Sequence, residues 1–286
     1  MGRCARFRTI LARTAVRAAQ RNIAGIVLLG IAVSTVTLDS VPSPLDADKI
    51  KLLVLRSTAI TDRNWSVQQE YDFCETDLQR DGSTRTFQEL MMLGTRYGRL
   101  IAIDGKPLST AQAEEEERTL RLAMAERGTE SQTDRTKRLE NEQKRAKRDH
   151  ALLNQIPQGF EFSYAGEQEL DGHQVYVIRA TPKRGYNPPN KETEVLKGMQ
   201  GQLWIDRETL NWVRVEAQVM RPVWIVGFLA RVEPGTRFEL EMMPISGSFW
   251  MPRHYAMRAR AKIFLLFTHE EQEEESYFAY HDAVHY

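Results

Sequence analysis

Alternation of apolar and polar side chains with a period of two, cut at intervals by turn dipeptides, constrains this chain more than any other feature. Val213, Val215, Ala217 and Val219 fall on one side of a segment and Arg214 and Glu216 on the other. Phe238, Leu240 and Met242 repeat the pattern against Glu239 and Glu241. Successive side chains of a strand point to opposite faces, so each such segment presents one apolar wall and one wet one. Turn signals at Asp171-Gly172, Tyr186-Asn187-Pro188-Pro189, Pro234-Gly235 and Ser246-Gly247 divide the chain after Phe160 into seven or eight strands. The same period appears between Trp65 and Ile103, where Trp65, Val67, Tyr71 and Phe73 alternate with polar residues before a turn at Asp81-Gly82. That stretch predicts three antiparallel strands, so the chain reads as a mainly β, α+β domain of about ten or eleven strands.

Two regions break this period. Residues 46–62 carry Ile50, Leu53, Val54, Ser57 and Ile60 at helical spacing and predict one amphipathic helix. Residues 109–156 hold ten acidic and ten basic residues, the acids early and the bases late, an order that suits the helix dipole. Ser109 with Gln112 forms a capping-box signature, Gly128-Thr129 interrupts, and Ser131 with Asp134 restarts a second helix. Its apolar stripe is thin, with Leu139, Ala146, Leu153 and Ile156 as the main contributors, so only a narrow face docks on the domain. This insertion reads either as a cover over the sheet or as a solvated hairpin. Two further runs lack alternation, Val223 to Ala230 (VWIVGFLA) and Ile263 to Phe267 (IFLLF). Each reads either as a sealed strand or as a loop that meets a ligand or a membrane.

The N-terminus carries the clearest address. Arg3, Arg6, Arg8, Arg13, Arg17 and Arg21 precede an uncharged run of 14 residues, IAGIVLLGIAVSTV, at 23–36. A run of that length is short for a membrane span and fits the apolar region of a secretory signal. Residues 1–38 therefore read as a signal peptide or, if uncleaved, as an N-terminal anchor whose only membrane contact is 23–36. An organellar transit peptide and a buried helix are the competing readings. Residues 39–286 form the exported domain, placed in the periplasm or cell envelope and, if the anchor stays, tethered to the inner membrane. The chain has 39 basic and 39 acidic residues, so losing the six arginines leaves a net charge of 0 − 6 = −6, a poor balance for binding nucleic acid. The two cysteines, Cys4 and Cys74, cannot pair within the mature domain, which must rest on its core.

Chemistry-bearing motifs are missing. The sequence has no glycine-rich phosphate loop, no G-x-S-x-G elbow, no H-E-x-x-H and no C-x-x-C, so neither a cofactor nor enzymatic activity is expected. His281 and His285 have chelating spacing only on a helix; on a strand they stand ~13 Å apart, too far to share a zinc ion. The acidic runs 114–117 and 270–275 read as solvated surface, because consecutive carboxylates on a strand point to opposite faces. No metal site is expected.

Particular strings do carry a family likeness: Tyr71-Asp72-Phe73-Cys74-Glu75-Thr76, the run RLIAIDGKPLS at 99–109, GQLWID at 201–206, and WVRVE at 212–216. Together they resemble exported bacterial proteins of the outer-membrane lipoprotein-sorting, LolA-like superfamily, over roughly residues 46–280. The resemblance implies a strongly curved, incomplete antiparallel β-barrel whose helices cover an apolar concavity that receives acyl chains. The charged insertion at 109–156 is longer than in the ordinary carriers, and their lid-gating arginine has no matched position. An apolar wall, a helical cover and no catalytic set agree with a binder of lipid or of lipoprotein acyl chains. The wall candidates are Trp204, Val213, Val215, Trp224, Phe228, Phe238, Leu240 and Trp250. The alternative is an envelope-stress or assembly module of the RseB-like kind, with residues 109–156 as its protein-partner surface.

Overall fold

The computed structural model describes residues 45–225, 230–247, 249–263 and 267–284. The segment 1–38, Phe228, the central residues 226–229 and 264–266 of the two apolar runs, and His285 lie outside the described residues.

Helix α1 (Ala47–Val67) starts at Asp46, whose carboxylate accepts from the Lys49 amide at 2.8 Å. The helix continues past the expected strand start at Trp65. The face holding Leu53, Val54, Ser57, Thr58, Thr61 and Asn64 runs on in 3.6-residue steps, and over so short a segment the two periods overlap. A single 3-10 turn (Gln68–Glu70) then leads into β1 (Tyr71–Leu78). Strands β2 (Thr84–Met92), β3 (Thr95–Ile103) and β4 (Lys106–Pro107) follow as a meander. Asp104 and Gly105 join the last two with φ of 49° and 69°, the two positive values a tight hairpin needs, which is why an Asp-Gly pair stands there.

Helices α2 (Thr110–Gly128) and α3 (Gln132–Gly159) come next, both with the expected serine caps, and α2 with a complete capping box between Ser109 and Gln112. The remaining strands are β5 (Phe160–Leu170), β6 (His173–Pro182), β7 (Met199–Asp206), β8 (Trp212–Val219), β9 (Val223–Trp224), β10 (Ala230–Val232), β11 (Arg237–Ser246), β12 (Phe249–Ile263) and β13 (Phe267–Asp282). All pairings are antiparallel, in the order β4-β3-β2-β1-β13-β12-β11-β8-β7-β6-β5, with β10 and β9 added beside the far end of β12. The sheet does not close: β4 and β5 are its edges. The first and last long strands lie side by side at its centre, a pairing between residues about 200 positions apart in sequence.

Cross-strand register defines one face. A continuous row runs Ile178, Leu203, Val215, Leu240, Tyr255, Glu275, Asp77, Arg85. Paired residues share a side of the sheet, so this inner face is apolar from β6 to β12 and turns acidic at β13 and β1. Helix α1 packs against the apolar part, and its Ile50, Leu53 and Val54 join the core with Leu203, Val215 and Leu240.

The helical hairpin docks thinly. Of α2 only Leu120 is buried, in a satellite cluster with Leu90 and Met92. Helix α3 adds Leu153, buried in the main core with Leu152 and Ile156 packed against it, and two arginines fasten the loop end of the hairpin. Arg127 donates to the carbonyls of Met92, Thr95 and Arg96, and Arg138 to the Leu93 carbonyl and the Thr95 hydroxyl while also pairing with Glu130. These bonds fasten the helices to the β2–β3 turn, whose carbonyls would otherwise face outward. Charge-assisted hydrogen bonds of this kind hold position more firmly than the sparse apolar contact.

Candidate functional site

The inner wall gathers most of the residues expected to line it. Val213, Val215, Leu240 and Trp250 are all buried in one cluster with α1, and Phe238 lies half-buried against it, its ring 5.5 Å from that of Tyr255. Trp204 is buried but pairs across the ladder with Arg214, and so shares the side that carries the Arg214–Glu241 ion pair. Trp224 stands apart at the β9–β10 hairpin, exposed and beneath the Arg231 guanidinium at 5.3 Å. Trp212, which pairs with Ile205 and is fully buried, is a wall residue that alternation alone did not single out. A bulge between Trp204 and Ile205 changes the register there, so simple counting from Val213 fails.

Helix α1 packs on the apolar face, touching β5 and β12 as well as α3. Its N-terminal half docks through Ile50, Leu53 and Val54, while its C-terminal half buries Ser57, Thr58, Thr61 and Asn64. Two of these polar groups reach the wall: Ser57 Oγ accepts from the Trp212 indole at 3.1 Å, and Asn64 donates to Asn211 at 2.6 Å. Thr58 Oγ1 is buried with no partner among the described residues. A buried hydroxyl without a partner costs roughly 1–3 kcal/mol, so the helix is held less tightly than an all-apolar face would hold it. Thr58→Val, which keeps the shape and removes the hydroxyl, is expected to raise stability by about 1 kcal/mol; a lower midpoint in urea unfolding would show that the hydroxyl is satisfied.

Where the inner face turns acidic, β1 and β13 bring Glu75, Asp77 and Glu275 together, all three buried, with carboxylate oxygens within 4.8 Å of one another. Tyr277 donates to Glu275, and Glu89 of β2 is buried close by. The Glu89 carboxylate lies over Gly98, where a Cβ would fall 2.4 Å from its Oε1, so glycine is what makes room for it. Burial pushes the Glu75 carboxyl well above its ordinary value, helped by the charge of Glu275, a hydrogen bond with Asp77 and the charge of Glu89. Burial likewise raises the Tyr277 and Tyr255 phenols, with the neighbouring glutamates adding to it. Chemically, three oxygen donors so placed share protons, and such a set is also of the kind that hard cations accept. By sequence the acidic run reads as solvated surface, because its members alternate along one strand. The alternation holds, with Gln272 and Glu274 outward and Glu273 and Glu275 inward, but the partner carboxylates come from the other end of the chain. His281, by contrast, is exposed on β13.

On the opposite side of the sheet a groove of about 660 Å³ is polar, lined by Arg179, Gln202, Glu216, Glu239 and Arg258 among others. A second, of about 560 Å³, lies where β6 ends, between Lys183, Arg184, Lys197, Met220 and Arg221. No described helix is long and apolar enough to cross a membrane.

No protein-family model and no curated protein matches the chain. Among solved structures it is similar to a DUF1329 family protein from Desulfovibrio piger, at 11% identity over 83% of this chain and 93% of that one, with a TM-score of 0.30. It is also similar to an outer membrane lipoprotein-sorting protein domain from Vibrio parahaemolyticus, at 8% identity over 80% and 93% of the two chains, again with a TM-score of 0.30. The unclosed antiparallel sheet with helices packed on it is the architecture that the resemblance implied.

Proposed function

We propose that this protein is a non-catalytic carrier or receptor of the cell envelope that takes the acyl chains of a lipid or lipoprotein between the inner wall of the sheet and α1. One observation carries the reading: an extended apolar wall, Leu203, Val213, Val215, Leu240 and Trp250, is covered by a helix whose docking face is half hydroxyl and amide. Such a helix is separable at modest cost. Burying Ile50, Leu53 and Val54 stabilises the docked state by roughly 5–8 kcal/mol, and the buried polar groups add little net. An acyl chain of about 14 carbons contributes on the order of 10 kcal/mol when its methylenes leave water. The ligand therefore offsets the displacement of the helix. The N-terminal arginines and apolar run, which read as an export signal, support a location where such ligands occur. Native mass spectrometry of the full chain purified from its own membranes is expected to show a lipid adduct, and the purified chain to take up a fluorescent fatty acid. Absence of both overturns the reading.

A further inference from the structure

The far end of the sheet, where β6, β8 and β12 finish and β7, β11 and β13 begin, joins two features of the sequence that lie 40 residues apart. Register places Trp224 opposite Arg231, Arg231 opposite Lys262, and Lys262 opposite Thr268, in one row across four strands. The strands that flank the two runs without alternation are therefore neighbours in the sheet. The residues that connect Ile225 to Ala230 and Ile263 to Phe267 are Val-Gly-Phe-Leu and Phe-Leu-Leu, without a charge. Three of the chain's exposed large apolar side chains stand at this end: Phe267 at 57%, Met220 at 50% and Trp224 at 39% exposure.

Cations surround them. Arg231 stacks on Trp224, Arg221 bonds the Lys197 carbonyl, and Lys183, Arg184 and Lys197 line the adjoining groove with Met220. Lys262 enters no ion pair among the described residues, while Arg231 is paired with Glu233 and Lys197 with Glu194. Exposed aromatics ringed by arginine and lysine suit a bilayer's headgroup region, where apolar bodies enter and cations meet phosphates.

We propose that this end of the sheet docks on an anionic bilayer surface, with Met220, Trp224 and Phe267 entering the headgroup layer and Arg221, Arg231, Lys262 and the Lys183–Arg184–Lys197 groove facing lipid phosphates. The surface is distinct from the wall under α1 and does not depend on a ligand being held there.

The N-terminal apolar segment itself favours membranes, so the test reads the position of Trp224 rather than binding alone. The full chain is mixed with vesicles of phosphatidylcholine brominated on its acyl chains, with and without about 30% phosphatidylglycerol. Of the five tryptophans, Trp204, Trp212 and Trp250 are buried and Trp65 is half-buried. Subtracting the signal of Trp224→Phe, which keeps the apolar surface, isolates the exposed indole. The expected result is quenching that depends on phosphatidylglycerol and disappears in Trp224→Phe. Arg221→Gln and Lys262→Gln should each weaken it about fivefold, with unchanged melting. Equal quenching in wild type and Trp224→Phe, or quenching indifferent to phosphatidylglycerol, overturns the proposal, whatever the outcome of fatty-acid uptake.

Discussion

Leu53→Ala is expected to tighten fatty-acid binding while it lowers the melting temperature. Leu53 is one of three aliphatic side chains by which α1 docks on the wall, and its truncation removes about 2 kcal/mol or more of packing from the docked state. If ligand entry requires α1 to leave, the same loss multiplies the binding-competent population about 30-fold, and the apparent affinity rises with it. A helix that is only part of the core gives the opposite pattern, with stability falling and affinity unchanged or reduced. Titration of a fluorescent fatty acid against wild type and Leu53→Ala, beside thermal melts, separates the two. Weaker binding in the variant would end the idea that α1 is the cover.

Glu75→Gln is expected to stabilise the protein above neutral pH and to flatten its stability profile. Glu75 faces Asp77 on its own strand, Glu275 and Tyr277 on β13, and Glu89 on β2, and its folded-state pKa is raised well above the ordinary 4.5. Folding therefore favours the protonated form. The contribution is fully present below about pH 4.5 and is lost as pH climbs through the raised folded-state value. Removing one ionisable member leaves a neutral side chain of the same shape among the remaining carboxylates. The expected gain at pH 8 is about 1–3 kcal/mol, a rise of roughly 2–4 °C in melting temperature for each kcal/mol. At pH 4 the two proteins should melt together. A variant that loses stability at pH 8 would show that the carboxylate is required there in charged form.

Much of the fold is legible in the sequence because it is local. The Asp-Gly and Pro-Gly turns, the serine caps of α2 and α3, and the separate apolar faces of β8 and β11 follow from neighbours within a few residues. Errors arise where two local signals compete or where a bulge intervenes. Trp65 and Val67 fit a strand over three residues and a helix over twenty, and the longer period prevails. Trp212 departs from a simple count because the ladder slips between Trp204 and Ile205.

The candidate sites were less legible, for one reason. Periodicity tells which residues share a face but not which strands adjoin. From sequence alone, Glu275 belongs to a solvated run and Glu75 to an ordinary strand; only the pairing of β1 with β13 sets them within reach of one another and shifts Glu75's proton affinity. The two apolar runs are recognisable individually, but their adjacency is created by β10 pairing with β12. Likewise the apolar wall follows from alternation, whereas α1 lying on it with a half-polar face comes from packing. Local sequence determined the strands, turns, caps and apolar faces of this protein, since backbone preference and side-chain period act over a few residues. The tertiary structure alone decided which faces meet, because strand order and burial depend on contacts between residues far apart in sequence, up to about 200 positions for β1 and β13, and it is those contacts that set the environment of each charge.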